Sequence, residues 1–459
     1  MVCLRRHLAN AATAGTRLLG PNRALSLSDL AANTGLGAAR AGLAGRSVLV
    51  RTVAQIGAAQ ALVELDGLAA RIVLSPPDLT AEHLPAVIEN AGVDAIVTDT
   101  EEAALTGLGL PVHVLTPPGR PVLVTDAPAH TTEWLLFTSG TTGTPKMVIH
   151  TLEGLTGAIR PKPEGGDPIV WGTFYDIRRY GGLQILLRAL TGGASMILSD
   201  AHEAPADHLV RLGALGVTHL SGTPSHWRRA LMTPQVSAIA PAYLRLSGEI
   251  ADQAILDSLK TAFPAAAIGD AYASTEAGVG FEVNDGLEGF PARYVGQAGD
   301  VEMKVEDGSL RIRSARAASG YAGAEAPVLA EPDGFVDTGD MVEFRGDRYH
   351  FAGRRNGVIN VGGLKVHPEE VEAVLNRHPA VRASLVRARK NPITGAVVAA
   401  EVALVDPGAA ATPEAQSALR ASILDACRAS LPPHKAPASV RFVAALAVTA
   451  GGKIDRAHA

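Results

Sequence analysis

Trp134-Leu135-Leu136-Phe137-Thr138-Ser139-Gly140-Thr141-Thr142-Gly143-Thr144-Pro145-Lys146 changes character part-way along. Four apolar residues suited to a buried strand give way to nine hydroxyl, glycine, proline and lysine residues in succession. Any four of those nine alone would read as an ordinary solvated turn. Nine together read as a phosphate loop: glycines let backbone N–H groups approach an anion, hydroxyls add neutral donors, and Lys146 supplies a mobile positive charge. The NTPase pattern of Gly-Lys-Ser/Thr is not met, because Pro145 precedes the lysine and Met147 follows it.

On either side of this loop, helical and strand-like runs alternate. From Leu25 to about Thr100 the strands are short, such as Ser47–Val50 and Ala95–Val97; from Trp134 to about Ile268 they include Ala194–Leu198 and Leu244–Leu246. Val301–Arg313 and Gly334–His350 are punctuated by Asp-Gly and Gly-Asp pairs and read as antiparallel strands. Past Arg354 the texture changes again, with helices starting at Pro368 and Pro413 and strands near 383–388, 397–405 and 440–443. The expected fold class is α/β: a large N-terminal domain of layered α/β subdomains with a turn-rich β portion, residues 1–355, plus a small mobile C-terminal α+β domain, residues 356–459.

The chain has 459 residues, 47% of them hydrophobic, and a net charge of −5, which supports a large core and gives no general attraction to nucleic acid. Charged residues at 19% exclude collagen-like and wholly disordered readings in spite of 48 glycines and 29 prolines. Cys3 and Cys427, the only cysteines, offer neither a disulfide framework nor a metal cluster, and the expected location is the cytoplasm. Every apolar run is interrupted too early to span a membrane. The first 28 residues hold Arg5, Arg6, Arg17 and Arg23 and no acid; an ordinary N-terminal helix ranks above a targeting segment there.

The segment Ser139–Lys146 resembles the signature loop of the adenylate-forming superfamily, which includes acyl- and aryl-CoA ligases, luciferases and peptide-synthetase adenylation domains. Further blocks follow in the family's order: Asp270-Ala271-Tyr272-Ala273-Ser274-Thr275-Glu276, Gly334–Asp340, Gly353-Arg354 and Gly451-Gly452-Lys453-Ile454-Asp455-Arg456. The resemblance implies ATP, Mg²⁺ and CoA as cofactors. It makes Thr138, Ser139, Gly140, Thr141, Thr142, Gly143, Thr144 and Lys146 the phosphate loop, puts Tyr272 under adenine, Thr275 at the phosphate and Glu276 on Mg²⁺. Asp340 would take the ribose hydroxyls, Arg354 would reach the nucleotide, and Lys453 would be the lysine of adenylation. Met147, Ala271 and Ala273 stand where relatives commonly have glycine.

By the same resemblance a carboxylate attacks the α-phosphorus of ATP, pyrophosphate leaves, and a thiol then takes the acyl group after the C-terminal unit turns about Asn356. Gly362 and Gly363 would line the way for pantetheine. The acceptor is expected to be CoA; a separate carrier protein's phosphopantetheine and a nucleotide sensor without turnover are the alternatives. Phe174, Tyr175, Asp176, Gly248 and Ala271 would line the acid pocket. Asp176 is either paired with Arg178 or Arg179, the preferred reading, or holds a substrate ammonium. Neither the acid nor the oligomeric state is legible.

Overall fold

A computed structural model describes residues 2–10, 15–122, 129–138, 146–160, 167–391, 394–449 and 452–456. Two large sheets dominate. One has eight strands in the order Gly278–Val283, Ala267–Ser274, Tyr243–Ser247, His219–Gly222, Val170–Thr173, Ser195–Ile197, Arg17–Leu19 and Ala24–Ser26. The pairings from Ala267–Ser274 through to Arg17–Leu19 are parallel, and from Val170–Thr173 on to Ala267–Ser274 a helix leads from each strand to the next. The other has seven strands, with Glu133–Phe137 inserted between the antiparallel Met147–Thr151 and the parallel Arg71–Leu74.

Both sheets are apolar on their inner faces because two helices lie between them. Every residue of Gln55–Leu65 is buried, as are Leu183, Ile185, Leu186, Leu187 and Leu190 of Tyr180–Thr191. A single cluster joins Val48, Leu62, Leu136, Leu186 and Met196, so sheet, helix and sheet share one core. The turn-rich portion forms a five-stranded antiparallel sheet with Val301–Glu306 at one edge and Phe290–Pro291, beside Arg348–Arg354, at the other. Beyond it, Ile359, Val371, Val386, Val402, Ile423 and Val440 form a core of their own. The helices Pro368–Asn376 and Pro413–Ser430 pack there on a three-stranded sheet.

The N-terminus opens with the expected helix, Leu4–Asn10, and further on Arg17–Leu19 and Ala24–Ser26 form a hairpin that extends the first sheet, with Leu18 opposite Met196. Gly20 and Pro21 supply the turn, and the apolar Leu18 and Leu25 are buried by sheet pairing instead of by a helix face. Among the described residues no helix is long and apolar enough to cross a membrane.

Candidate active site

The strands Glu133–Phe137 and Met147–Thr151 pair with Phe137 opposite Met147, and Thr138 N–H donates to the Lys146 carbonyl at 3.0 Å. That pairing fixes both ends of the phosphate loop. Ser139, Gly140, Thr141, Thr142, Gly143 and Thr144 lie outside the described residues. Lys146, at the loop's end, borders a cleft of about 570 Å³ together with Ser274, Glu276, Tyr321, Thr338 and Arg354. Its ammonium stands 5.6 Å from the centre of the Tyr321 ring.

Glu276 makes no ion pair among the described residues, and these contain no group of three or more metal-ligating side chains. One free carboxylate facing an open cleft suits Mg²⁺ held chiefly by phosphate oxygens and water, the usual way that ion is bound. Thr275 is oriented through its backbone. Its carbonyl takes a hydrogen bond from His150 Nε2 at 2.7 Å, which fixes the tautomer, since a carbonyl can only accept. His150 is buried, and burial depresses its pKa to about 4.

Tyr272 donates its hydroxyl to Asp340 Oδ2 at 2.6 Å, while Arg354 Nε approaches Asp340 Oδ1 at 2.7 Å. Three residues read separately from the sequence are therefore in one hydrogen-bonded group. Phe281 and Phe351 each stack parallel to Tyr272 with centroids 5.3 Å away, so the ring is held rigidly in an aromatic stack. Burial raises the pKa of Asp340, and Arg354 and Tyr272 oppose that rise. Sequence reading missed both phenylalanines, since an aromatic on a strand is ordinarily core.

Lys453 comes from the far end of the chain to the same place. A methyl group on Gly248, which has φ +87°, would lie 3.4 Å from Lys453 Cε and 3.8 Å from Nζ. The lysine thus passes directly over the turn after the strand Tyr243–Ser247. Burial lowers its pKa, with Glu249 and Asp340 pulling the other way. Glu249 accepts from Ile454 N–H at 2.9 Å, and Thr223 Oγ–H donates to the Gly452 carbonyl at 3.0 Å. Gly452, at φ +73°, packs so closely on His226 that a methyl would sit 1.8 Å from Nε2. Thr223 and His226 went unnoticed in the sequence, although Thr223-Pro224 reads as a helix start and does cap the helix Pro224–Leu231.

Tyr175 is buried and donates its hydroxyl to the Ser247 carbonyl at 2.6 Å, beside Gly248. Phe174 stacks on His226 with centroids 5.6 Å apart. Ala271 is buried opposite Ser247 on the neighbouring strand. Asp176 is held by Arg178, whose Nη2 lies 2.6 Å from Oδ2 and whose Nε donates to Oδ1 at 2.8 Å. Arg179 turns away to Asp78. With both oxygens taken by one guanidinium, Asp176 presents no free charge to an ammonium group. Gly362 and Gly363, at φ +57° and +90°, form the turn between Ile359–Val361 and Leu364–Val366, with Gly363 exposed to solvent. Asn356 is exposed in the short turn Arg355–Gly357, flanked by the ion pairs Arg354–Asp340 and Arg355–Asp337.

Comparison with known proteins agrees with this geometry. The family model described as AMP-binding enzyme matches residues 51–321, and that described as AMP-binding enzyme C-terminal domain matches residues 370–453. The human mitochondrial acyl-coenzyme A synthetase ACSM2A is 27% identical over 354 residues, covering 70% of this chain and 60% of the relative. The 2-succinylbenzoate–CoA ligase of Escherichia coli is 28% identical over 330 residues, covering 68% of this chain and 67% of that one. The ACSM matches thus span about 60% of those relatives' length. The fold matches the crystal structure of the anthranilate CoA ligase AuaEII in complex with anthranoyl-AMP, with a TM-score of 0.81 at 19% identity, over 98% of this chain and 95% of that one.

Proposed function

Since the chain belongs to the AMP-binding enzyme family, we propose that it is an ATP-dependent acid–CoA ligase, which activates a carboxylic acid as its acyl-adenylate and passes the acyl group to the thiol of CoA. The observation that carries this reading is the position of Lys453: a lysine near the chain's end lies over Gly248, and Glu249 and Asp340 both act on its charge. A cation there meets an incoming carboxylate and the phosphate it attacks at once.

In this reading Asp340 receives the ribose hydroxyls and the Tyr272 stack supports the purine, so the Tyr272–Asp340 hydrogen bond marks where base and sugar meet. Glu276 would hold Mg²⁺, which neutralises phosphate charge when bound. Lys146 would stand on the pyrophosphate side of the cleft. The acid carboxylate would meet the Lys453 ammonium beside the Ser247–Glu249 turn, with Tyr175 and Ala271 behind it. In-line attack on the α-phosphorus then needs no protein nucleophile, only held geometry and opposed charge. For thioester formation Lys453 must withdraw, and the Arg355–Gly357 turn is where the C-terminal unit would pivot to bring Gly362 and Gly363 to the acyl group.

The test is acid-dependent ATP–pyrophosphate exchange followed by thioester detection with free CoA. Exchange plus acyl-CoA supports the ligase. Exchange with thioester only on a carrier protein moves the acceptor to that protein, and no exchange with any acid rejects the reading.

A further inference from the structure

Behind Ala271 the interior is charged where a core would ordinarily be apolar. Tyr243, Arg245 and Ser247 alternate onto one face of their strand, and Ser247 stands beside Ala271, which stands beside Glu282. The helix Tyr180–Thr191 packs on that face, presenting Tyr180, Gln184 and Arg188 at successive turns. Arg188, Arg245 and Arg316 are close enough to act on one another electrostatically.

Acidic partners are short in this layer. Glu282 is already taken by Arg245 and by the Tyr243 hydroxyl at 2.5 Å. Arg316 reaches outward to Asp300 at 3.2 Å. Asp270 stands beside Leu246, on the alternate face of the sheet. Arg188 has neither an ion pair nor a side-chain hydrogen bond among the described residues, and its Nε is buried without a partner. The Tyr180 hydroxyl and Gln184 Oε1 are buried without partners beside it. Both side chains are more than nine-tenths buried. Burial also lowers the pKa of Arg188, to about 10.

Arg188 keeps partial contact with solvent, yet its Nε is buried without a partner beside two other guanidiniums, which is costly, and such groups are retained where something else supplies the charge. We infer that the acid activated here is a diacid, whose second anionic group is held by Arg188 and the Tyr180 hydroxyl in the layer behind Ala271. Arg245 stands three residues before Gly248, about 10 Å along the strand, so Lys453 and the Arg188 layer are spaced for the two ends of an aryl or short aliphatic diacid. This inference rests on the ligase reading and narrows its substrate.

The test is ATP–pyrophosphate exchange by the full chain with matched pairs, benzoate against terephthalate and hexanoate against adipate. The expected result is a kcat/KM for the diacid about tenfold or more above that of its monoacid. Arg188→Met should collapse that ratio, and Arg188→Lys should restore part of it. Monoacids used as well as their diacids by the wild-type chain would overturn the inference and leave the ligase reading standing, whatever the fate of the variants. An Arg188→Met protein that lowers both members of each pair alike would also overturn it. No exchange with any acid would fall on the ligase reading first and take the inference with it.

Discussion

Asp176 and Arg178 are 9% and 4% exposed in their side chains, and each is the other's main compensation for leaving water. Removing one therefore strands the other. Asp176→Ala should cost about 3–5 kcal/mol, the range for a broken buried pair, read as a fall in Tm, with no change in preference between an aryl acid and its amino analogue. A stable variant with altered amine selectivity would return Asp176 to the substrate. His150 gives a pH prediction. Its pKa falls from 6.5 to about 4 on folding because burial disfavours the cation. Below pH 6.5 the unfolded chain takes up a proton that the native one refuses, so the stability His150 contributes above that pH is lost as pH falls towards 4. A shift of this size is worth on the order of 3 kcal/mol. Denaturation midpoints between pH 7 and 4.5 should decline, and His150→Asn should flatten the decline.

At the scale of elements, the segment carrying Lys453 is docked by Thr223, Glu249 and the ring of His226. Gly452 permits that fit twice over, through its positive φ and through the absence of a Cβ that would overlap His226. Gly452→Ala should slow exchange about tenfold or more by displacing the lysine, while Tm, set by the separate cores, stays within a few degrees. A Tm loss without an exchange defect would contradict the docking role. The phosphate loop's flanking strands and the helices at Pro368 and Pro413 were legible because local rules decide them: hydroxyl and glycine chemistry, proline at a first turn, acids after it. The Tyr272–Asp340–Arg354 group was legible only as separate blocks, since what joins them is the crossing of two sheets. The docking residues and the Arg188 layer were not legible. Their partners lie tens to hundreds of positions away, and a helical Tyr-Gln-Arg spacing reads as a solvated face until packing buries it.

For the whole molecule, one division of labour follows. The sheets with their shared helices form one wall, and the C-terminal unit, with its own core, brings Lys453 over Gly248. Arg354–Asp340 and Arg355–Asp337 tie the connection between them on the side of the large domain. Arg355→Ala removes one of these ties and leaves Asp337 its hydrogen bonds from Ser309 and Gly339. Because an exposed pair contributes about 1 kcal/mol or less, the expected outcome is an unchanged Tm and a shift of less than about tenfold in the ratio of exchange to thioester formation, measured with each half-reaction isolated.

The most direct test separates those half-reactions in Lys453→Ala. ATP–pyrophosphate exchange should fall about a hundredfold or more, while preformed acyl-adenylate with CoA is still converted to thioester. Unimpaired exchange in that variant would contradict the account, because it would mean that the residue brought over Gly248 plays no part in activating the acid.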